Sequence, residues 1–417
     1  MKRALLIILG FLFGICGSLE CALSKQTETL IDDLNQAALL EFYLMKKGDN
    51  PLASPYSIQS SFLMAYMGAK GKTAKQIAQV LSMTLPQNQL GTAFAELTNY
   101  LLAPKSQHGY KLKIGNGMWI DDNLSVLSTY KEIVAKDFNG DVQQIDFGAP
   151  ATAAETINAW VSEETGGNIK HLLSPQDIGP STVLLLTNGL FLQGPWKSPF
   201  SSKLTESKPF LTSNKVSINV PTMQQIGTFP YYEDDNSQIL ALPLISEGTQ
   251  PNLALIIFLP KETQLTDIFD FYYAQQQQSS AAFLDFTNKF ENARVDIHLP
   301  KFAFSKRFFL KNFFLSIGMD DAFSPSADFS GITGAKNIYI SDAFHESYVK
   351  IDEGGIFAAA ASGVQFNLKS TLPDQAPIPF NANHPFFYCI ADLKTKLLLF
   401  MGVVNDPSIS YKEENPQ

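Results

Sequence analysis

The chain has 417 residues, of which 45% are hydrophobic and 17% are charged, and its formal net charge is −9. This composition supports a large buried core and excludes an intrinsically disordered chain. The acidic balance and the lack of a Lys/Arg block argue against a nucleic-acid partner.

The first 22 residues have the features of a secretory signal peptide. Lys2 and Arg3 precede an apolar run over residues 4–15, and small residues follow it. The run is shorter than the ~20 apolar residues that a transmembrane helix needs. We therefore predict a signal peptide over residues 1–22, cleaved near residue 18 or 22, and a secreted, extracellular protein (periplasmic if bacterial) without a membrane attachment after cleavage. An uncleaved anchor is the alternative.

The N-terminal half combines predicted helices with a few strands. Apolar residues spaced three or four apart indicate helices, and alternating ones indicate strands. Thr73 is expected to cap the third helix, which ends at residue 81. Residues 183–192 are apolar almost throughout, which indicates a strand buried on both faces, and Asn188 in its middle needs buried partners. The other predicted elements are helices at 28–47, 58–68, 130–138 and from 157 to the glycines at 166–167, and strands at 111–120 and 142–147.

The C-terminal half is predicted to be mostly β. The strands expected there are 216–223, 229–232, 238–242, 253–259, 293–304 and 337–340, followed by a hairpin over 386–393 and 396–404. Short helices are expected near residue 276 and at 310–318. Helices first and strands later, without a regular βαβ alternation, indicate one α+β domain over residues 23–408 with a polar tail at 409–417.

Catalytic and metal-binding patterns are lacking in the sequence. The five histidines lie outside any HExxH motif, no cysteine pair has zinc spacing, and neither GxSxG nor GxGxxG occurs. Cys389, in the apolar run FFYCIA, is interpreted as a buried inert thiol. We therefore expect no enzyme, no catalytic residues, no metal and no cofactor. Asn123 begins an Asn-x-Ser sequence and is a candidate glycosylation site.

Residues 349–370 read VKIDEGGIFAAAASGVQFNLKS. They begin with the alternation of a strand, which the pair Gly354 and Gly355 interrupts. Four alanines, Ala358 to Ala361, follow, and a lone basic residue, Lys369, lies further on. The alanines alone would equally suit a helical turn or an exposed linker, because alanine favours helix.

Six segments in series resemble the serpin family. NPLASPYS is similar to the family's N-x-x-x-S-P-x-S, and TNGLFLQGPWKSPF resembles N-x-x-x-F-x-G-x-W-x-x-P-F. GAKGKTAKQIAQVL, LPKF, LSIGMDDAFSPSADFSGI, and HPFFYCI with FMGVVNDP match in order and spacing. The resemblance implies the serpin fold, in which helices pack around a large central mixed β-sheet, with smaller sheets and an exposed reactive loop, here about 353–380.

The resemblance also implies a function. In this family a serine protease cleaves the exposed loop, which then inserts as a strand into the central sheet and traps the acylated enzyme. The chain is thus expected to be a monomer whose partner is a serine protease. The family spacing from Glu353, where the hinge starts, puts the scissile bond at Lys369–Ser370, which suits a trypsin-like protease. If the register is shifted so that cleavage follows Leu368 or Phe366, the target would be a chymotrypsin- or elastase-like protease.

The inserting segment has the side chains that strand insertion requires. Gly354 and Gly355 supply a flexible hinge, and small or apolar residues follow them. If Ile356 faces inward, period-two alternation turns the following residues inward too: Ala358, Ala360, Ser362, Val364 and Phe366. Phe357 replaces the polar residue usual in inhibitory members. We expect it to point outward and to slow insertion, which would favour the alternative of a non-inhibitory carrier, chaperone or storage protein whose loop is only a protease substrate.

The resemblance assigns further residues to the control of sheet opening. His345, Asn188, Ser54 and Ser57 match a polar cluster beneath the opening strands and are expected to hydrogen-bond mutually. Glu353 and Lys301 match an ion pair at the top of the sheet. The remaining matched positions are Asn50 and Trp196.

Overall fold

The structure is a computed structural model that describes residues 23–103, 109–246, 251–261, 268–276, 283–357 and 376–409. The predicted signal peptide, nearly all of the polar tail, and residues 358–375 lie outside the described residues. The last of these segments contains Ala358, Ala359, Ala360, Ala361, Ser362 and the predicted reactive bond between Lys369 and Ser370.

Helices dominate the first part of the described chain and strands the later part. The helices are α1 (Lys25–Met45), α2 (Pro55–Gly68), α3 (Gly71–Val80), α4 (Gln87–Leu102), α5 (Ser128–Phe138), α6 (Pro150–Glu164), α7 (Ile268–Gln276), α8 (Leu310–Ser316) and α9 (Ser330–Thr333). The strands are β1 (Leu52–Ala53), β2 (Lys111–Asp121), β3 (Gly140–Ile145), β4 (Leu184–Pro195), β5 (Glu206–Leu211), β6 (Ser217–Glu233), β7 (Ser237–Pro243), β8 (Leu253–Pro260), β9 (Glu291–Pro300), β10 (Phe302–Phe309), β11 (Asp342–Ile351), β12 (Gly355–Ile356), β13 (Ile378–Asn381), β14 (Phe386–Asp392) and β15 (Leu398–Val404).

The described strands form two sheets. A six-stranded mixed sheet has the order β10-β11-β12-β4-β2-β3. A nine-stranded sheet has the order β1-β15-β14-β8-β7-β6-β9-β13, and β5 pairs with β6 beside that path. The predicted α+β class is confirmed. Within the described ranges, no helix is both long and apolar enough to cross a membrane.

Strand β4 runs between two hydrophobic cores. Leu184 and Leu186 belong to the main core, whereas Leu185 packs into a second cluster with Ile157 and Val161 of α6. Because successive side chains of a strand point to opposite faces, a strand covered on both faces must be apolar at nearly every position. The apolar run at residues 183–192 was predicted to be a strand buried on both faces. It forms most of β4, which is covered on both faces.

Several predicted elements differ from the observed ones. The strands predicted at 216–223 and 229–232 are one strand, β6, because β9 pairs with it continuously from Thr222 to Tyr231. The strand predicted at 293–304 is two strands, since the chain crosses between the sheets at Lys301. Residues 337–340 are not a strand, and α4 and β5 were not predicted.

One further local prediction was wrong. Thr73 does not cap α3, whose N-cap is Lys70. The buried hydroxyl of Thr73 instead donates to Asp321 and accepts from the backbone N–H of Asp328. Both partners come from a distant part of the chain that packs against α3. The predicted reactive loop, about 353–380, overlaps at its end with β13, which pairs in parallel with β9 from Ile378.

Candidate functional site: the hinge and the sheet opening

At one end of the six-stranded sheet β11 and β4 pair with each other, and at the other end β12 separates them. Strands β11 and β4 pair directly in parallel, residues 342–346 against 185–189. Further along, β12 lies between them and runs antiparallel to both. Ile356 lies opposite Ile351 on one side and opposite Gly194 on the other. The predicted hinge thus already occupies the first positions of a strand between β11 and β4.

Gly355 lies where no side chain fits. A Cβ atom at this position would come within 2.0 Å of the carbonyl oxygen of Gly194 and 2.8 Å of the Cα atom of Pro195. Its φ is +155°. Both contacts involve backbone, which cannot rotate away as a side-chain tip can, so only glycine permits β12 to approach β4 this closely.

Glu353 anchors the start of the hinge. Lys301 Nζ lies 2.8 Å from Glu353 Oε2, and the Thr205 hydroxyl donates to Oε1 at 2.7 Å. Partial burial tends to raise the pKa of Glu353, but the hydrogen bonds from Lys301 and Thr205 outweigh it and hold that pKa below its usual value. The structure therefore brings the predicted pair Glu353 and Lys301 into contact. Thr205 is a partner that the sequence did not reveal.

Trp196 fixes the backbone on both sides of Glu353. Its buried indole N–H donates to the carbonyl oxygen of Asp352 at 2.9 Å, and its backbone N–H donates to that of Gly354, also at 2.9 Å. The backbone N–H of Phe200 donates to the carbonyl oxygen of Glu353. The turn between β11 and β12 is thereby bound to the chain that follows β4.

Ile356 and Phe357, the last residues that the structure describes before the rest of the predicted reactive loop, have different environments. Ile356 is 1% exposed, so it faces the core as predicted. Phe357 lies on the outer face, where its ring packs against Phe191 of β4 and Tyr348 of β11, with centroid distances of 5.2 and 4.5 Å. Its φ is +53° and Gln193 Nε2 donates to its carbonyl oxygen at 2.8 Å. Phe357 therefore connects β4 and β11 on the outer face of the sheet.

A row of buried polar residues crosses β11, β4 and β2. His345 lies opposite Asn188, which in turn lies opposite Asn116. Asn188 Nδ2 donates to Asn116 Oδ1 and to the hydroxyl of Ser60 in α2, the latter at 3.2 Å. Ser57, also in α2, lies 3.5 Å from His345 Nδ1. The predicted cluster thus holds together at His345, Asn188 and Ser57.

Burial lowers the pKa of His345 to about 3, although a hydrogen bond with the Asn188 backbone opposes this effect. The ring is therefore neutral at physiological pH. Its Nε2 atom lies 2.7 Å from the hydroxyl of Ser347. Ser60 and Asn116 were missed, although Asn116 shows the same signal as Asn188, a polar residue inside an apolar strand.

Ser54 does not belong to this cluster, contrary to the prediction, and Asn50, the other matched position near it, also lies elsewhere. Ser54 donates to the carbonyl oxygen of Leu399 in β15 at 2.7 Å. Asn50 donates to the carbonyl oxygen of Asp406 at 2.8 Å and accepts from two backbone N–H groups, those of Asn405 and Asp406. Both residues attach the start of α2 to the C-terminal strand, because the chain immediately before α2 pairs with β15 rather than with β4.

The comparisons with known proteins agree with this arrangement. Residues 33–407 match the family model described as Serpin (serine protease inhibitor). This chain belongs to the serpin family. Its serpin relatives include an uncharacterized serpin-like protein of Thermococcus kodakarensis, 35% identical over 87% of this chain and 82% of the relative. They also include the leukocyte elastase inhibitor of Xenopus tropicalis, 31% identical over 86% of this chain and 93% of the relative.

The serpin fold is shared with solved structures. Human thyroxine-binding globulin complexed with thyroxine superimposes with a TM-score of 0.79 at 26% identity, covering 91% of this chain and 99% of that chain. The predicted serpin fold is therefore confirmed. The family generally inhibits serine proteases, and some of the relatives are named as inhibitors.

Proposed function

We propose that this serpin is a covalent-trapping inhibitor of a trypsin-like serine protease, which it would meet as a secreted protein. The observation that carries the proposal is the position of β12. The hinge runs antiparallel between β11 and β4, so a cut loop could extend the same strand without changing its direction. Strand addition of this kind pairs the backbone of the new strand with both neighbours.

The register of β12 defines what further insertion would do. Continued from Ile356, it would place Ser362 between Asn188 of β4 and His345 of β11. The five parallel pairs between those strands would then be replaced by two antiparallel ladders. Because the new strand pairs on both edges, the exchange gains backbone hydrogen bonds, which supports a sheet that is more stable after insertion.

The polar row suits this exchange. A serine hydroxyl can donate and accept, and Asn188 Oδ1 has no hydrogen-bond partner among the described residues. An inward Ser362 would approach this oxygen, whereas a larger apolar side chain there would leave it buried without a partner. The sequence of the loop is thus compatible with the chemistry of the cluster that it would enter.

A non-inhibitory role is the second candidate, and Phe357 favours it. Its ring contacts on Phe191 and Tyr348 must rearrange before the strands separate, which slows insertion and lets a protease complete hydrolysis. The similarity to thyroxine-binding globulin, whose name states a carrier role, agrees with such a function. The loop would then be only a substrate.

Incubation with trypsin followed by denaturing gel electrophoresis tests the proposal. We expect a covalent complex at the summed mass of the two proteins, and its loss in Lys369→Ala. Lys136→Ala, on the exposed surface of α5, is the matched control and should behave as the unmodified protein. Complete cleavage without any complex would contradict inhibition and favour the substrate role.

Mass spectrometry of the released fragment tests the reactive bond. A fragment beginning at Ser370 is expected with trypsin. A complex formed instead with chymotrypsin or elastase, with a fragment beginning after Leu368 or Phe366, would shift the register and overturn the trypsin-like specificity. N-terminal sequencing of the protein from its source tests secretion, for which we expect a first residue just after Ser18 or Ala22.

A further inference from the structure

A cleft of about 670 Å³ lies between α6, residues 170–175 and Arg307 of β10. Its volume falls within the range of about 300–1,000 Å³ that is usual for small-molecule sites. Most of its lining is apolar, and the side chains that form this part are Ala151, Ala154, Ala159, Leu173 and Pro175.

Hydrogen bonds hold the walls of the cleft in place. Asn158 of α6 exchanges two hydrogen bonds with the backbone of Leu173, its Nδ2 donating at 2.7 Å and its Oδ1 accepting at 2.8 Å. Asp177 accepts from the backbone N–H and the hydroxyl of Ser174, both at 2.8 Å. The cleft is therefore preformed, and a ligand would not have to order its walls.

One edge of the cleft carries basic side chains. Lys170 and His171 line it and are exposed, and Arg307 lines it from β10. Arg307 Nη2 donates to Asp177 at 2.7 Å, and its Nε is buried without an acceptor among the described residues. A guanidinium has five donors, so this one pair leaves donors for a further acceptor.

The carboxylates of Asp177 and Glu346, near this edge, already accept hydrogen bonds from other side chains. Asp177 is bound by Ser174 and Arg307, and Ser305 donates to Glu346 at 2.6 Å. Glu155, which lines the opposite wall, is exposed to solvent. Arg307 and His171 also interact electrostatically with Glu346, whereas Lys170 forms no ion pair within the described residues. An anionic group placed beside Lys170 would therefore meet a basic donor that these acidic groups leave available.

We propose that this cleft binds a small amphipathic carboxylate, with its apolar chain against the alanines of α6 and its carboxylate beside Lys170 and Arg307. A mostly apolar pocket with a few convergent polar donors is the usual form of such a site. Charge-assisted hydrogen bonds from lysine and arginine to a carboxylate would fix the orientation of the ligand.

The cleft also spans the opening of the six-stranded sheet. Helix α6 packs on Leu185 of β4, whereas Arg307 of β10 lies opposite Glu346 of β11. Insertion of a strand would move β4 and β11 apart by about 4.8 Å, the spacing of neighbouring strands. A ligand that contacts both walls therefore favours the sheet before insertion. This coupling, unlike the binding itself, rests on the proposed function.

Isothermal titration calorimetry with decanoate tests the site. We expect decanoate to bind at least about fivefold more tightly than decanol or decyltrimethylammonium, because only the carboxylate pairs with the basic edge. Lys170→Gln should weaken decanoate binding several-fold, and Ala159→Phe, which fills the cleft from an exposed position, should abolish it. Lys136→Gln makes the same charge change on α5 and should leave the affinity unchanged.

Either of two results would overturn the site: equal affinity for the three compounds, or unchanged decanoate binding in both cleft variants. The coupling is tested by repeating the titration on loop-cleaved protein, for which we expect at least about tenfold weaker binding. Equal affinity in the intact and cleaved forms would refute the coupling. If decanoate binds as expected but trypsin forms no covalent complex, the proposed function fails while the site stands.

Discussion

Gly355 and Glu41 show how single residues constrain this fold in opposite ways. Gly355 permits a backbone approach that any side chain would block. Glu41 of α1 is 1% exposed, and its only hydrogen bond among the described residues comes from Gln59 Nε2 at 3.1 Å. Its second oxygen, Oε1, has no partner in the same set. A buried carboxylate with so little support is costly, so this side chain stays protonated.

Replacing Gly355 with alanine should expel the hinge from the sheet. The new Cβ would lie 2.0 Å from a backbone oxygen, so β12 must detach from β4. We expect a loss of about 1–3 kcal/mol in the free energy of unfolding, measured by urea denaturation. Gly179→Ala is the control, because its Cβ would have no neighbour closer than 4.0 Å. Equal stability of the two variants would contradict the steric argument.

Because of Glu41, the free energy of unfolding should fall as pH rises. Burial raises its pKa from 4.5 to about 8, so between these values the folded protein holds a proton that the unfolded chain has released. The stability from this group is full below about pH 4.5 and is lost progressively up to about pH 8. The stability of Glu41→Gln relative to the unmodified protein should therefore rise by about 1.4 kcal/mol per pH unit in this window.

Urea denaturation across pH 4.5–9 measures this difference. Glu132→Gln, on the exposed surface of α5, is the control and should not change the pH dependence. Parallel pH profiles for Glu41→Gln and the unmodified protein would show that Glu41 does not hold its proton in the folded state.

At the scale of elements, β12 and Phe357, which follows it, would control the sheet opening that the proposed function requires. The ring of Phe357 packs against one residue of each separating strand. Its φ of +53° is strained for a phenylalanine, and the chain must leave this conformation to extend the strand. The ring contacts oppose insertion, whereas relief of the backbone strain favours it.

Phe357→Ser removes the ring contacts and leaves the backbone strain in place. Aromatic pairs contribute about 0.5–1.5 kcal/mol each, so two lost pairs should speed insertion by about tenfold. A larger fraction of the protein should then appear as covalent complex with trypsin on a denaturing gel. Phe357→Tyr keeps the ring and should behave as the unmodified protein. A complex fraction that is unchanged or lower in Phe357→Ser would show that the ring does not limit insertion.

For the whole molecule, the predicted consequence of insertion is a gain in stability. A full strand between β4 and β11 would add a net of roughly ten backbone hydrogen bonds, each contributing about 1 kcal/mol. We expect the Tm of the loop-cleaved protein to exceed that of the intact protein by more than about 10 °C, measured by calorimetry. Lys369→Ala, treated with trypsin but uncut at that bond, is the control. An unchanged Tm after cleavage would mean that the loop does not insert.

Sequence patterns were sufficient to predict the family, the α+β class and the main strands. Their signals are local or fixed in order: alternation, apolar runs such as β4, and six motifs in series. The resemblance also predicted the pair Glu353 and Lys301, which the structure brings into contact, whereas the hinge role of Gly355 stays a prediction. Asn188 stood out because an amide inside an apolar strand needs buried partners.

Contacts between groups that are distant in the chain could not be predicted and emerge from the packed fold. Asn116 and Ser60 complete the polar row, and Ser54 lies elsewhere, because strand order and the packing of α2 bring together residues far apart in the chain. The cleft beside α6 likewise has both Arg307 and Lys170 in its lining, and no local pattern encodes that these two segments line one cleft. Periodicity fixes which side of an element is buried, whereas the packed fold fixes which partner it finds there.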